Sequence, residues 1–90
     1  MGNVYFITNK SAIKIGYSED INRRIKQLQT GNEEILELLN IIENVDLNFE
    51  KHIHSVCKAY HIGGEWFHIQ VLDFLLNKTS PWFKENMKEK

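Results

Sequence analysis

The chain has 90 residues, of which 42% are hydrophobic and 26% are charged, and its formal net charge is -1. This length fits one small domain, and the composition excludes an intrinsically disordered tail. Because the net charge is close to zero, it also excludes a protein that coats nucleic acid by bulk electrostatics, so any phosphate contact has to be local.

A β-hairpin is the first element that the sequence predicts. Residues 4–7 and 12–15 are β-branched and aromatic runs, and Asn9 between them is typical of a turn. An amphipathic helix is expected to follow, with Ser18 or Asp20 as its N-cap. The apolar face of this helix repeats at i, i+4 and i+7 and consists of Ile21, Ile25 and Leu28.

Gly31 is predicted to end this helix in the left-handed conformation that is common just after a helix C-terminus. Residues 35–42 are nearly all apolar, and although a short buried helix is an alternative, the turn-like stretches on either side favour a central strand. Asp46 is the expected N-cap of a second helix that runs to about Tyr60, before the glycines at 63–64. The apolar face of that helix is predicted to consist of Phe49, Ile53, Val56 and Tyr60.

The last third of the chain predicts small helical elements. Residues 71–76 have a helical pattern, and Ser80 with Pro81 opens a short terminal helix, because proline is well placed at the first helical position. The charged tail at residues 85–90 is expected to fray. The sequence therefore predicts a single α/β (α+β) domain over residues 1–90, in the order β-β-α-β-α followed by C-terminal helices.

The charges are unevenly distributed along the chain. Residues 10–30 carry five Lys or Arg but only two acidic residues, Glu19 and Asp20. Residues 33–50 carry six acidic residues and no Lys or Arg. Each stretch is either an ordinary solvated face or a distinct charged patch, and two opposite patches can coexist in a chain whose net charge is near zero.

The basic stretch contains a candidate phosphate site. A helix that starts at Ser18 to Asp20 points backbone N–H groups and the positive end of its dipole at whatever lies above the hairpin. Arg24 lies one turn into this helix and flanks its apolar stripe, where a guanidinium can bind phosphate oxygens in pairs. A plain solvated charge is an equal alternative for Arg24 and the default for Arg23.

Carboxylates and tyrosines supply the other candidates. Glu50 and His54 are four residues apart on the second predicted helix, so they share a face. Such a pair can hold a hard divalent metal or move a proton in phosphodiester hydrolysis, although a surface hydrogen bond is its commoner role. Glu65 is a candidate second carboxylate or a turn residue. Tyr5 and Tyr17 could orient or deprotonate a water, or simply fill half-buried strand positions.

Zinc is an alternative, because His54, Cys57 and His61 fall on one predicted helical face. Structural zinc usually takes four ligands in close pairs, and this sequence has no such pair. The single cysteine excludes an internal disulfide and fits a reducing compartment. No apolar stretch reaches the roughly 18 residues of a membrane span and no basic-then-apolar leader opens the sequence, so we expect no membrane association and a cytoplasmic location, the host cytoplasm if the protein is viral.

Five stretches, taken in order, resemble the GIY-YIG nuclease superfamily. They are VYFI, IKIGYS, INRRIKQLQTGN, an E-x-x-x-H pair on a helix and GEWF, and they cover residues 3–68. They are most similar to the viral and bacterial branch whose second motif reads IKIG in place of YIG. The resemblance implies a small α/β fold with a central antiparallel three-stranded sheet and flanking helices, and a single bound Mg²⁺ or Mn²⁺.

The resemblance also implies roles for individual residues. Tyr5 matches the tyrosine of the first motif, Gly16 ends the second motif, and Arg24 matches the essential arginine. Glu50 matches the metal-binding glutamate. Lys14 stands where the second motif has its tyrosine, and a lysine there would stabilise phosphate charge. The predicted catalytic residues are Tyr5, Lys14, Tyr17, Arg24, Glu50 and His54, and the predicted substrate-binding residues are Gly16, Ser18, Arg23 and Lys26.

The sequence therefore predicts a metal-dependent endonuclease that hydrolyses phosphodiester bonds, with DNA as the expected partner. A nucleic-acid-binding module that has lost cleavage is the first alternative, and a protein-interaction adaptor is the second. Because the resemblance fills most of the chain, no separate recognition region is expected. Specificity would then be low, come from a homodimer or be lent by a partner protein.

Overall fold

A computed structural model of the protein describes residues 1–89. The strands in this range are β1 (Gly2–Thr8), β2 (Ala12–Ser18), β3 (Glu37–Val45), β4 (His61–Gly63), β5 (Trp66–His68) and β6 (Lys88–Glu89). The α-helices in it are α1 (Ile21–Thr30), α2 (Leu47–Val56), α3 (Val71–Lys78) and α4 (Pro81–Asn86), and a 3₁₀ helix spans Lys58–Tyr60. Within the same range no helix is long and apolar enough to cross a membrane.

The strands form one antiparallel sheet in the order β4-β5-β2-β1-β3-β6. Its centre, β2-β1-β3, is the antiparallel three-stranded sheet that the sequence predicts, and the α+β class is confirmed. A count of three strands is wrong, because β4, β5 and β6 extend the sheet at both edges. These strands have only two or three residues each, too few for an alternating pattern to show in the sequence.

The predicted β1–β2 hairpin is present. The Asn9 side chain accepts hydrogen bonds from the backbone N–H groups of Ser11 and Ala12, both at 2.9 Å, and so holds the turn. The register that follows from this turn places Tyr5 directly opposite Gly16.

The hydrophobic core lies on one face of the sheet, where alternate residues of β1 and β2 meet the helices. Its fully buried members include Val4, Phe6, Ile13, Ile15, Ile53, Cys57, Phe67, Val71 and Leu75. The predicted apolar face of α2 packs here, since Phe49 and Val56 lie against this cluster. Burial raises the pKa of the Cys57 thiol to about 12, so it is an uncharged apolar group at neutral pH.

Both predicted aspartate caps are observed. The backbone N–H of Arg23 donates to the Asp20 carboxylate at 3.1 Å, and that of Phe49 donates to the Asp46 carboxylate at 2.9 Å. These caps fix where α1 and α2 begin and therefore where Arg24 and Glu50 lie. Ser18 does not cap α1; its hydroxyl instead binds the backbone of Asp20, accepting from N–H and donating to C=O.

The prediction that Gly31 adopts the left-handed conformation is wrong. Gly31 has φ -90° and ψ 11°, which most residues adopt. The chain beyond α1 is held by the Gln29 side chain, which donates to the Glu34 carbonyl at 2.8 Å and accepts from the Leu36 N–H at 2.8 Å. Because this amide ties down the connection, no left-handed residue is needed to turn it.

One other boundary differs from the prediction. The α2 helix ends at Val56 and passes into the 3₁₀ helix that reaches Tyr60, whose N–H bonds the Cys57 carbonyl at 2.8 Å. In the part of the tail that the structure describes, Met87 is only 6% exposed and Lys88 pairs with Ile41 of β3, while fraying of this tail stays a prediction. Residue 90 lies outside the described residues.

Candidate active site

The face of the hairpin opposite the core carries the candidate functional residues. Strand alternation places Lys14 and Gly16 of β2 on the same face as Tyr5 of β1, while Ile13 and Ile15 point into the core. The short β5 strand runs beside β2 and pairs Trp66 with Lys14. This face is therefore bordered by β5 on one side and by α1 above the hairpin.

Gly16 is required by its contact with Tyr5. A Cβ at position 16 would collide with the Cζ and Oη atoms of Tyr5, because the phenol ring lies across the glycine. The ring is held in this place and is only 1% exposed. The I-K-I-G sequence thus has a packing reason for its glycine, which is to seat the phenol on the strand.

Arg24 reaches the buried phenol from α1. Burial raises the pKa of the Tyr5 phenol, and the interaction with the Arg24 guanidinium opposes this rise. The same interaction raises the pKa of Arg24, which is fully charged in any case. The contact is looser than a well-aligned hydrogen bond. Tyr5 therefore holds its proton at neutral pH beside a permanent positive charge.

Lys14 is held by an ion pair and an aromatic ring. Its Nζ atom lies 3.2 Å from Oε1 of Glu65, and the two side chains are 15% and 38% exposed. The same atom lies 5.5 Å from the centroid of the Trp66 ring, which is within range of a cation–π interaction. Both partners come from the GEWF segment, so the β5 strand fixes the ammonium group beside the Tyr5–Gly16 pair.

Glu50 is a buried carboxylate with few partners. It is 8% exposed, and its ion-pair contact within residues 1–89 is with Nε2 of His54 at 3.9 Å. No hydrogen bond from the described residues reaches it. Burial raises the pKa of the Glu50 carboxyl, the nearby charge of Glu65 raises it further, and the charges of His54 and Lys14 oppose the rise.

This carboxylate fits a water-rich divalent cation. The carboxylate oxygens still reach solvent, since within residues 1–89 no fully buried side-chain oxygen or nitrogen lacks a hydrogen-bond partner. Partial burial of an anion is nevertheless costly, and a bound cation would offset that cost. Within residues 1–89 no three His, Cys, Asp or Glu side chains are grouped to hold a metal, which also leaves His54, Cys57 and His61 without a shared zinc site. Mg²⁺ accepts this arrangement because it keeps several waters and often binds one or two carboxylates plus substrate phosphate.

His54 joins α2 to the edge of β2. Its Nε2 lies 2.9 Å from the Ile15 carbonyl, which fixes the tautomer with the proton on Nε2, since a carbonyl only accepts. The N–H of Ile15 donates to the Glu65 carbonyl at 2.9 Å. The backbone of one residue therefore holds both α2 and the Glu65 turn, and brings Glu50 and Glu65 to the same edge of β2.

We expect His54→Ala to destabilise the protein by about 1–3 kcal/mol, because the Ile15 carbonyl would lose its hydrogen-bond partner. Ile15 lies beyond the residues of β2 that pair with β5, so β5 does not replace this partner. Urea denaturation measures this loss. His52→Ala is the control, since His52 is exposed and lies on the same helix. Equal losses in both variants would show that the bond to Ile15 contributes nothing special.

A comparison with protein families matches residues 2–84 to the T5orf172 domain. The chain belongs to the T5orf172 domain family. This family is related to the GIY-YIG/HNH-like nuclease superfamily. Neither the curated proteins nor the solved structures gave a significant match to the chain.

In this T5orf172 domain Tyr17 is separated from Tyr5. Tyr17 points to the opposite face, where it packs against the core cluster. Its ring crosses Gly2, and a Cβ at position 2 would lie 2.7 Å from Cζ and Oη of Tyr17. Each tyrosine thus lies across a glycine of the neighbouring strand, but only Tyr5 lies on the face that carries Lys14 and Gly16.

The remaining predicted substrate-binding residues lie along α1. Arg23 and Lys26 line an open groove of about 560 Å³ together with Gln27 and Thr30. A second groove of about 420 Å³ continues from Arg23 to Arg24. Asp20 and Glu19 also line these grooves, so the T5orf172 domain has a polar surface of mixed charge along α1.

Sequence reasoning missed two contributors. Trp66 packs against the Lys14 ammonium, and the only sequence signal for it was its place next to Glu65. The Ile15 backbone, which ties Glu65 and His54 to β2, leaves no signal at all, because main-chain hydrogen bonds do not depend on side-chain identity.

Proposed function

We propose that this T5orf172 domain is a metal-dependent endonuclease that hydrolyses phosphodiester bonds of DNA with a single Mg²⁺ or Mn²⁺. One observation carries the proposal. The mostly buried carboxylate of Glu50 interacts through its charge with Lys14 and with the Tyr5 phenol, and that phenol lies across Gly16 of the second motif and interacts with Arg24. Such hydrolysis needs cations that stabilise the phosphate and an anion that binds the metal.

Glu50 is the residue that would hold the metal. A divalent ion bound there supplies a Lewis acid for the scissile phosphate and the leaving oxygen. Arg24 places its guanidinium beside the phenol of Tyr5, where it neutralises the charge that develops on the phosphate. Lys14 adds a second positive charge on the same face of the sheet.

Tyr5 acts as a proton-bearing group that positions the attacking water. The raised pKa of its phenol makes it a poor general base at neutral pH, whereas its hydroxyl can donate and accept a hydrogen bond. Tyr17 points to the core face and is the weaker candidate for this task. The geometry therefore supports Tyr5 for positioning a water and offers no strong side-chain base.

The resemblance to the IKIG branch of the GIY-YIG nucleases supports DNA as the substrate. The grooves along α1 give Arg23 and Lys26 access to phosphates that flank the scissile one. Sequence specificity is assigned to a second copy of the chain or to a partner protein.

Arg24→Ala is expected to lower metal-dependent nicking of supercoiled plasmid DNA by about 10²–10³-fold, because the guanidinium stabilises charge in the transition state. Arg24→Lys should recover only a small part of this loss, since an ammonium group lacks the planar fork. The matched control is Arg23→Ala on the same helix, which should weaken DNA binding slightly and leave the maximal rate within about threefold. Equal rate losses at both positions would contradict the assignment of Arg24.

One observation favours a second candidate, a binding module without cleavage. Lys14 occupies the place of the second-motif tyrosine and is held in an ion pair with Glu65 at 3.2 Å, so no tyrosine is available at that position to activate a water. This candidate predicts DNA binding whose affinity falls steeply with salt. It also predicts no nicking with Mg²⁺, Mn²⁺, Co²⁺ or Ni²⁺. Nicking that depends on both Glu50 and Arg24 would exclude it.

A further inference from the structure

The Glu65 carboxylate lies at the centre of the candidate site without an evident role. It forms the 3.2 Å ion pair with Lys14, yet its side chain is 38% exposed, more than twice the 15% of its partner. The Trp66 ring holds the lysine in place independently, at 5.5 Å. Glu65 is therefore the partner that can leave this ion pair, and Lys14 is the one that stays.

The charge of Glu65 reaches the other ionisable groups of the site. Burial is the main reason that the pKa values of Tyr5 and Glu50 are raised, and the negative charge of Glu65 raises both further. The same charge adds to the effect of Tyr5 on the pKa of Arg24. One carboxylate thus acts on both cations of the site and lies near the carboxylate of Glu50.

The backbone allows the Glu65 side chain to move while the strand stays in place. The Glu65 carbonyl accepts from the Ile15 N–H at 2.9 Å, which anchors the main chain to β2. The preceding residue, Gly64, has φ 55° in the turn between β4 and β5. The side chain leaves from this anchored turn at the edge of the site, so rotation into solvent breaks the contact with Lys14 without disturbing the sheet.

We infer that the Glu65 carboxylate occupies, in the free protein, the place beside Lys14 that a phosphate of the substrate takes, and that substrate binding displaces it into solvent. A carboxylate and a phosphodiester both offer anionic oxygens to an ammonium and a guanidinium. The inference rests on the phosphate-handling function proposed above and adds to it the subsite and its internal competitor. Displacement also removes a negative charge that faces Glu50.

The test is a binding measurement that does not involve cleavage. Fluorescence anisotropy of a short labelled DNA duplex, without divalent cations, compares the wild-type protein with Glu65→Gln. We expect the variant to bind roughly 3- to 10-fold more tightly, the change expected when one opposing charge is removed from a partly exposed site. Glu33→Gln is the matched control, because Glu33 is exposed on the loop after α1 and should change the affinity little.

A double-mutant cycle with Lys14→Gln separates displacement from a general field effect. If Glu65 competes for Lys14, most of the gain from Glu65→Gln disappears in the Lys14→Gln background. The inference is overturned if Glu65→Gln increases DNA affinity equally in both backgrounds, or does not increase it. In that case, DNA binding by the wild-type protein still leaves the proposed function standing. Weaker binding by Glu65→Gln overturns it as well and favours a ligand role for this carboxylate. Absence of binding in all four proteins overturns both proposals.

Discussion

Glu50→Gln is expected to lower metal-dependent cleavage at least about 100-fold while making the metal-free protein more stable. Removing a Lewis acid from a phosphoryl site costs several kcal/mol of transition-state stabilisation, and each 1.4 kcal/mol is roughly tenfold in rate. The gain in stability arises because Glu50 is only 8% exposed and burial disfavours the charged form of its carboxyl. A neutral amide of the same shape avoids burying that charge.

The pH dependence of stability follows from the same carboxylate. Burial raises the folded-state pKa of Glu50 above its ordinary value of 4.5. At pH values between 4.5 and the higher folded-state pKa of Glu50, the folded state binds more protons than the unfolded state. The stabilising contribution of Glu50 is therefore fully present below pH 4.5 and is lost as the pH rises through the folded-state pKa. Urea denaturation across this range should show the decline in the wild-type protein and a flatter profile in Glu50→Gln.

A bound cation should offset the cost of burying the Glu50 carboxylate in every protein that retains this carboxylate. A ligand at ten times its dissociation constant adds about 1.4 kcal/mol to the stability of the folded state. Thermal denaturation with Mg²⁺ or Mn²⁺ therefore should raise the melting temperature of the wild type and of the Glu33→Gln control, but not of Glu50→Gln. An equal rise in all three proteins would place the metal elsewhere.

The sequence was informative wherever structure depends on local chemistry. The hairpin was predictable because Asn9 is a turn residue between two β-branched runs, and the helix starts were predictable because Asp20 and Asp46 cap them. The end of α1 was not, because Gln29 reaches across several residues to bind the following segment. The strands β4, β5 and β6 were not predictable either, since their pairing depends on partners far along the chain.

The candidate site shows the same division. The resemblance places Arg24 and Glu50 correctly on two helices, and the cap positions explain why each side chain lies near β2. The ion pair between Lys14 and Glu65 depends on the register of a three-residue strand, which no sequence pattern reports. The sequence did not separate Tyr5 from Tyr17, because the face on which each tyrosine lies depends on the register between β1 and β2.

Gly16→Ala is expected to destabilise the fold by about 1–3 kcal/mol, the usual cost of forcing an extra methyl into a packed site. The new Cβ would collide with Cζ and Oη of Tyr5, which is buried at 1% exposure. In a domain of this size the loss corresponds to a fall in melting temperature of roughly 4–8 °C per kcal/mol. Cleavage should fall as well, because the displaced phenol no longer lies beside Arg24.

Gly31→Ala is the matched control for the loss of glycine flexibility. A Cβ at Gly31 meets nothing within 4 Å, and φ there is -90°, so this substitution should be neutral or stabilise the protein by up to about 1 kcal/mol. The collision itself is isolated by repeating Gly16→Ala in a Tyr5→Ala background and measuring the free energy of unfolding in urea. Without the phenol the added methyl has room, so its cost should fall to near zero. If the cost is the same in both backgrounds, Gly16 serves the strand itself and not the seat of Tyr5.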